Sequence, residues 1–225
     1  MCHQIVCYGD SNTYGYDPRS YLGGRYPKSV RWTGLLQTNG WGVINEGENG
    51  RSIPRLDEEI RAAARTVRRT GAEALIVMLG TNDLLQRPGP GAEVCAKRME
   101  TFLTAMRETA PANVKFVLVA PPPMKAGTWV QDVRLLEESN RLAECYAAAA
   151  RRLNICFADT RDWSVELAYD GVHFSEAGHR VFAENMLETL AALLTGHRET
   201  GLHSPGMAAR KKPFSSPITS DKKYL

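Results

Sequence analysis

The stretch Ile5-Val6-Cys7-Tyr8-Gly9-Asp10-Ser11 joins four apolar or aromatic residues to a Gly-Asp-Ser turn. This pattern predicts a short buried strand that ends in a tight turn carrying a serine. A strand end holds a nucleophile rigidly, and a glycine lets the backbone approach a ligand closely. Serine is also a common helix N-cap, so capping of the following helix is the competing interpretation of Ser11.

Strands and helices alternate along the rest of the chain. Apolar runs predict four further strands, at Trp41–Asn45, Ala74–Leu79, Lys115–Ala120 and Ile155–Ala158. Helical periodicity predicts long helices at Ile53–Arg69, Ala92–Thr109, Asp132–Arg152 and from Ser175 to about Leu194. This alternation is typical of an α/β fold with a parallel sheet covered by helices on both faces, in the doubly wound order 2-1-3-4-5. Ligands bind beyond the carboxyl ends of the strands in such sheets, and Ser11 follows the first strand.

The charge is unevenly distributed over the 225 residues, whose formal net charge is +3. Six Lys or Arg and two acidic residues lie from Gly196 onward, which leaves 22 basic and 23 acidic residues before it. We therefore expect a nearly neutral domain at 1–195 and a basic, flexible tail at 196–225. A neutral body argues against nucleic acid as a partner.

Composition also bears on location and metal binding. No run of 18 apolar residues is present, which predicts no membrane span, and the first residues show no secretory signal pattern. Five cysteines are scattered without any Cys-x-x-Cys pair, which favours a reducing compartment and no metal site. The expected location is the cytoplasm.

Asp170 and His173 are candidates for activating a serine. A serine hydroxyl is a weak nucleophile, so it needs a base and a group that orients this base. A spacing of three residues before a predicted helix lets one loop present both side chains, with the carboxylate fixing the imidazole tautomer. Taken alone, a histidine in such a loop is more often an ordinary surface residue.

Asn82 and Gly50 follow other predicted strands. The Asn82 amide could donate a hydrogen bond to a developing oxyanion, although Asn-Asp is also a common turn sequence. Gly50 could bring a backbone N–H to the same place, or it could be an ordinary loop glycine. Neither residue is decisive by itself.

The order of these motifs resembles a known family. Gly9-Asp10-Ser11, Gly50, Gly80-Thr81-Asn82-Asp83 and Asp170-Gly171-Val172-His173 are similar to the four sequence blocks of the GDSL-type, or SGNH, esterases and lipases, over about residues 3–195. The resemblance implies a flavodoxin-like three-layer α/β/α sandwich with a five-stranded parallel sheet. It implies no metal and no cofactor, and a small-molecule ester as substrate.

The resemblance also implies roles for individual residues. Ser11 corresponds to the nucleophile, His173 to the base and Asp170 to the residue that orients the base. The backbone N–H of Ser11, Gly50 and the amide of Asn82 correspond to the oxyanion hole.

A subgroup is suggested by three further segments. Arg31–Gly34, Met78–Asp83 and Ala120–Pro123 resemble the arylesterase and acyltransferase branch, whose members often form oligomers, so a homo-oligomer is expected. Asn12 departs from the family, which has Leu there, and we expect this change to affect the pocket more than the chemistry. Acidic residues are unexpected near an oxyanion site, but Glu46 and Glu48 lie just before Gly50.

Aromatic residues near the strand ends are candidates for binding substrate, with core packing as the alternative for each: Tyr14, Trp32, Trp129 and Trp163. No long insertion suggests a lid, so a short-chain ester is favoured over a lipid. Sugar acetate removal, thioester hydrolysis and acyl transfer in water are the alternatives with the same residues. A non-catalytic binding protein on this fold is the alternative from another class.

Overall fold

A computed structural model describes residues 3–20 and 22–195. The expected basic tail at 196–225 lies outside the described residues. The strands are β1 (Gln4–Gly9), β2 (Gly42–Gly47), β3 (Ala74–Met78), β4 (Lys115–Val119) and β5 (Cys156–Ala158). They form one five-stranded sheet in the order β2-β1-β3-β4-β5, and every neighbouring pair is parallel. The predicted fold class and strand order are confirmed.

Helices connect these strands. They are α1 (Ser11–Tyr14), α2 (Trp32–Thr38), α3 (Asp57–Thr70), α4 (Thr81–Leu85), α5 (Ala92–Thr109), α6 (Val133–Leu153) and α7 (Glu176–Thr195). Ser175 precedes α7 and caps it as predicted, since its Oγ accepts a hydrogen bond from the N–H of Gly178 at 3.0 Å.

The first strand is an interior strand of the sheet, between β2 and β3, and it is buried on both faces. Successive side chains of a strand point to opposite faces, so Ile5 and Cys7 join one core cluster while Val6 and Tyr8 join the other. The first cluster includes buried residues of α2 and α7, and the second includes those of α3, α5 and α6. An apolar run buried in this way is the expected sequence pattern of a central parallel strand.

Two element boundaries differ from the predictions. The third helix begins at Asp57 and not at Ile53, because the N–H of Ile53 donates to the Asp83 carboxylate at 2.9 Å and Pro54 follows. The residues after Gly80 form the short helix α4, although the sequence favours a turn there. Both differences arise from contacts between loops at the carboxyl edge of the sheet.

Two negative findings apply to residues 3–20 and 22–195. No helix there has the length and apolar character that a membrane span requires. No three His, Cys, Asp or Glu side chains within the same ranges are grouped as metal ligands would be.

Candidate active site

Ser11 is the first residue of α1, and only Asp10 separates it from the end of β1. Gly9 ends that strand, and a Cβ atom on it would lie 2.1 Å from Thr13 Oγ1, so the turn requires glycine. Asp10 is the N-cap, since its side chain accepts from the N–H of Asn12 at 3.0 Å. Ser11 is therefore not the capping residue, and its hydroxyl is available for other partners. Because Ser11 begins a helix, its N–H has no intrahelical acceptor.

A hydrogen-bonded relay joins Ser11 to His173 and Asp170. His173 Nε2 lies 3.0 Å from Ser11 Oγ, and His173 Nδ1 lies 2.7 Å from Asp170 Oδ2. Asp170 Oδ1 accepts from the backbone N–H groups of Val172 and His173, both at 2.9 Å. An ionised carboxylate only accepts, so Nδ1 carries the proton and Nε2 is free to accept from the serine hydroxyl.

Burial and hydrogen bonding act in opposite directions on Asp170. Asp170 is 1% exposed, and burial by itself raises its pKa. The hydrogen bonds from the His173 ring and from the backbone N–H groups of His173 and Val172 outweigh burial, so the pKa lies below its ordinary value. Asp170 is thus ionised at neutral pH and can stabilise an imidazolium.

Asp10 has the opposite behaviour, although it is next to Ser11. Its carboxyl group is 1% exposed, and desolvation raises its pKa to about 6 against the smaller effects of the Asn12 N–H, His173 and Arg51. The carboxyl group therefore retains a proton to a higher pH than an exposed aspartate does.

The loop that presents His173 is held by the segment before α6. The N–H groups of Lys125, Thr128 and Trp129 donate to the carbonyls of Gly171 at 3.0 Å, Tyr169 at 3.2 Å and Asp170 at 3.2 Å. Gly171 has φ of +80°, and a Cβ on it would lie 2.0 Å from Lys125 O. Position 171 must therefore be glycine.

Asn12 bridges the two halves of the site, a role that the sequence analysis missed. Its Nδ2 donates to Val172 O at 3.1 Å, and its Oδ1 accepts from Phe174 N at 2.9 Å. The side chain is buried and brackets His173 from both sides. The amide of Asn12 thus contacts the backbone of the histidine loop, and the expected effect of this departure on the pocket stays a prediction. The one available signal was an amide next to the serine.

Asn82, in the short helix α4, and Gly50, in the loop after β2, lie on segments that meet near the end of β1. Asn82 Nδ2 donates to Arg51 O at 3.1 Å, which fixes the amide and leaves it a second N–H. Gly50 is exposed with φ of +78°, and nothing lies within 4 Å of the position of a Cβ. Arg51 donates through its guanidinium to Gly9 O at 3.0 Å, which ties this loop to the turn that carries Ser11.

Two aromatic rings lie against His173. Trp129 is 52% exposed and has its ring centroid 5.0 Å from that of His173, in an edge-on arrangement. The Tyr16 ring lies 4.7 Å from the same imidazole and was not among the predicted residues. Tyr14 lies beneath the Arg25 guanidinium, which is 4.3 Å from its ring. These rings form an aromatic border around the relay.

Trp32 and Trp163 are corrections to the predicted binding residues. Trp32 is 1% exposed, packs on Phe182 at 4.9 Å and donates from Nε1 to Asn12 O at 3.0 Å. Trp163 also packs on Phe182, at 5.2 Å, and is partly buried against the same core cluster. Both belong to the packing between the sheet and α7, which was the competing interpretation.

This chain is similar to a known protein family over most of its length. The model of the GDSL-like Lipase/Acylhydrolase family matches residues 7–181, which is more than half of the chain. The chain belongs to this family. Its members are acylhydrolases, so the protein is a carboxylic ester hydrolase. Curated proteins give no match.

Solved structures of family members are similar to this chain over most of its length. The aryl esterase of M. smegmatis is 28% identical with a TM-score of 0.72, and the match covers 85% of this chain and 100% of that one. A carbohydrate acetylesterase family member from Sinorhizobium meliloti is 26% identical with a TM-score of 0.73, over 86% of this chain and 99% of that one.

Proposed function

We propose that the protein is a serine esterase that hydrolyses short-chain aryl, alkyl or sugar acetate esters through an acyl-enzyme. The hydrogen-bonded relay from Ser11 through His173 to Asp170 carries this proposal, because it contains every proton-transfer group that the reaction needs. The aryl esterase and carbohydrate acetylesterase relatives support the substrate class.

Acylation begins at Ser11. His173 Nε2 removes the hydroxyl proton while Oγ attacks the ester carbonyl carbon, and the tetrahedral intermediate carries one negative charge on the former carbonyl oxygen. Asp170 stabilises the imidazolium through Nδ1. The imidazolium then gives its proton to the leaving alkoxide, the bond between carbon and the leaving oxygen breaks, and the acyl group stays on Ser11.

Three donors are assigned to the oxyanion: the N–H of Ser11, the N–H of Gly50 and the free amide N–H of Asn82. The hydrogen bond from Asn82 to Arg51 O supports this assignment, because it holds the amide in place before substrate binds. Each preorganised donor of this kind contributes roughly 3 kcal/mol to transition-state stabilisation.

Deacylation repeats these steps with water, which His173 deprotonates for attack on the acyl carbon. A second alcohol in place of water gives acyl transfer, and a sugar acetate in place of an aryl ester gives deacetylation, with the same groups. The aromatic border of Tyr16 and Trp129 favours a flat or short substrate group beside the relay. A binding protein without activity is disfavoured because serine, histidine and asparagine are all present.

Ser11→Ala tests the proposal. The variant should lose at least about 1,000-fold in kcat on 4-nitrophenyl acetate, because the nucleophile is removed. Ser29→Ala changes an exposed serine that is not part of the relay and should retain wild-type turnover. Wild-type turnover by Ser11→Ala would place the nucleophile elsewhere and contradict the proposal.

An acyl-ester panel of graded chain length, with and without added alcohol, separates hydrolysis from acyl transfer. Product ratios that favour the new ester in dilute alcohol would identify a transferase.

Location and assembly remain predictions. Cys7 and Cys95 are buried free thiols, which supports a location in the cytoplasm. Light scattering would measure whether the protein forms the expected homo-oligomer.

A further inference from the structure

Arg51 connects several groups at the carboxyl edge of the sheet. Its Nη1 donates to the carbonyls of Gly9, at 3.0 Å, and of Glu46, and its Nη2 donates to Glu48 Oε2 at 2.6 Å. The guanidinium carbon lies 4.3 Å from the centre of the Tyr8 ring. Only 16% of the side chain is exposed. A planar, fork-shaped donor group is needed to reach these partners together.

These contacts tie the ends of two neighbouring strands. Gly9 ends β1, and Glu46 lies at the end of β2, so one guanidinium fixes their separation. The N–H of Glu48 donates to the same Gly9 carbonyl at 3.1 Å. The short loop between Glu48 and Arg51, which contains Gly50, is therefore anchored at both of its ends.

The backbone of Arg51 has a second connection. Its carbonyl accepts the Asn82 amide at 3.1 Å, and its N–H donates to Glu48 O at 3.2 Å. The Arg51 carbonyl thus orients Asn82, while the Arg51 side chain holds the same residue against the end of β1. Because Gly50 directly precedes Arg51, a displacement of the Arg51 backbone would move both the Gly50 N–H and the carbonyl that holds the Asn82 amide.

The same side chain pairs with one of the two acidic residues near this loop, Glu48. Glu48 would bring a negative charge close to a developing oxyanion, and an unfavourable interaction would follow. The ion pair at 2.6 Å draws the carboxylate to Arg51. Arg51 therefore positions the loop and compensates its charge.

From these contacts we infer that Arg51 is a positioning residue, which sets the Gly50 N–H and the Asn82 amide for the oxyanion without touching the substrate. This inference rests on the proposed function. It predicts that loss of the guanidinium weakens binding of the transition state and leaves binding of the ground-state ester nearly unchanged.

The experiment compares four full-length proteins on 4-nitrophenyl acetate: wild type, Arg51→Ala, Arg51→Gln and the control Arg55→Ala, an exposed arginine four residues further along. Arg51→Ala should lose about 10- to 100-fold in kcat with KM within about threefold, since small displacements of such donors cost this much. Arg51→Gln keeps part of the stem and one donor group, and should lose less. Arg55→Ala should keep wild-type values.

Two further measurements separate positioning from a general loss of structure. Millimolar methylguanidinium should restore part of the kcat of Arg51→Ala, because it can occupy the space over Tyr8, and it should not affect Arg55→Ala. Affinity for an alkyl boronic acid, which mimics the tetrahedral intermediate, should fall by the same factor as kcat.

The outcomes distinguish the inference from the proposed function. Wild-type kcat in folded Arg51→Ala, or in folded Arg51→Gln should the alanine variant not fold, would overturn the inference alone. A loss that appears in KM and leaves kcat unchanged would also overturn it. An inactive wild-type protein would instead contradict the esterase proposal.

Discussion

At the scale of single residues, Asn12 shows how a family departure acquires a role. Its amide satisfies one buried carbonyl and one buried N–H on either side of His173, at Val172 and Phe174. Buried backbone groups need such partners, because an unsatisfied group costs about 1–3 kcal/mol. The asparagine therefore links the serine turn to the histidine loop more directly than a leucine could.

Asn12→Leu tests this link by restoring the family residue. We expect a loss of about 2–4 kcal/mol in the free energy of unfolding, because two backbone groups lose their partners. We also expect a kcat lower by about tenfold or more, because His173 is less well held. Urea denaturation and steady-state kinetics measure the two effects. Asn140→Leu, on the exposed surface of α6, is the matched control, and equal stability of the two variants would refute the link.

Asp10 provides a pH prediction at the same scale. Its folded pKa of about 6 lies above the ordinary 3.8, so its stabilising contribution is complete below about pH 4 and is lost as the pH rises through 6. Asp10→Asn keeps an acceptor for the Asn12 N–H and has no charge to bury. The variant should gain on the order of 2–3 kcal/mol relative to wild type between pH 4.5 and pH 8.

Urea denaturation at these two pH values measures the gain. A stability difference between Asp10→Asn and wild type that is the same at pH 4.5 and pH 8 would show that the carboxyl group titrates normally. Residual activity at each pH checks that the variant keeps the serine turn intact.

At the scale of elements, regular segments were predictable and loop contacts were not. The order of the strands follows from apolar runs and helical periodicity, and Ser11, Asp170 and His173 come together because strands of a parallel sheet end at one edge. The start of α3 depends on Asp83, which is distant in sequence from Ile53. Sequence periodicity carries no information on such a contact.

The aromatic residues illustrate the same limit. Trp32 and Trp163 both pack on Phe182, whereas Trp129 lies in an irregular segment that has no periodicity and reaches His173. The position of each indole depends on which loop crosses which, and the local sequence does not encode it. The sequence could therefore identify aromatic residues as candidates, but it could not show which of them lie beside His173.

Gly171→Ala tests the loop that the segment 125–129 holds. The variant combines a left-handed backbone with a Cβ 2.0 Å from Lys125 O, so the loop must move. We expect a loss of more than about 3 kcal/mol in unfolding free energy and about 100-fold in kcat. Gly71→Ala has a similar φ of +63° with nothing within 4 Å, and should cost only about 1 kcal/mol with normal kcat. Equal effects of the two variants would contradict the close approach of Lys125.

At the scale of the whole molecule, the site joins distant parts of one chain. Ser11 and His173 are separated by 162 positions. Ser11 follows strand β1, and His173 lies in the loop before α7. The residues of the relay and the proposed oxyanion donors all precede Gly196 in the chain. We therefore expect residues 1–195 to be sufficient for catalysis.

A chain that ends at residue 195 tests this domain boundary. Its kcat and KM on 4-nitrophenyl acetate should lie within about twofold of the full-length values, because the relay and the proposed oxyanion donors are all retained. Circular dichroism would verify that the shortened chain is folded. A folded but inactive protein would assign residues 196–225 a part in the reaction.

The separation of Ser11 from His173 also has a consequence for biosynthesis. The ribosome releases the serine turn among the first residues and the imidazole only after three quarters of the chain has been made. A nascent chain therefore carries Ser11 without its base, and ester turnover starts only when the loop that contains His173 packs against the serine turn. The onset of hydrolysis of a chromogenic acetate would therefore show when this final folding step occurs during translation.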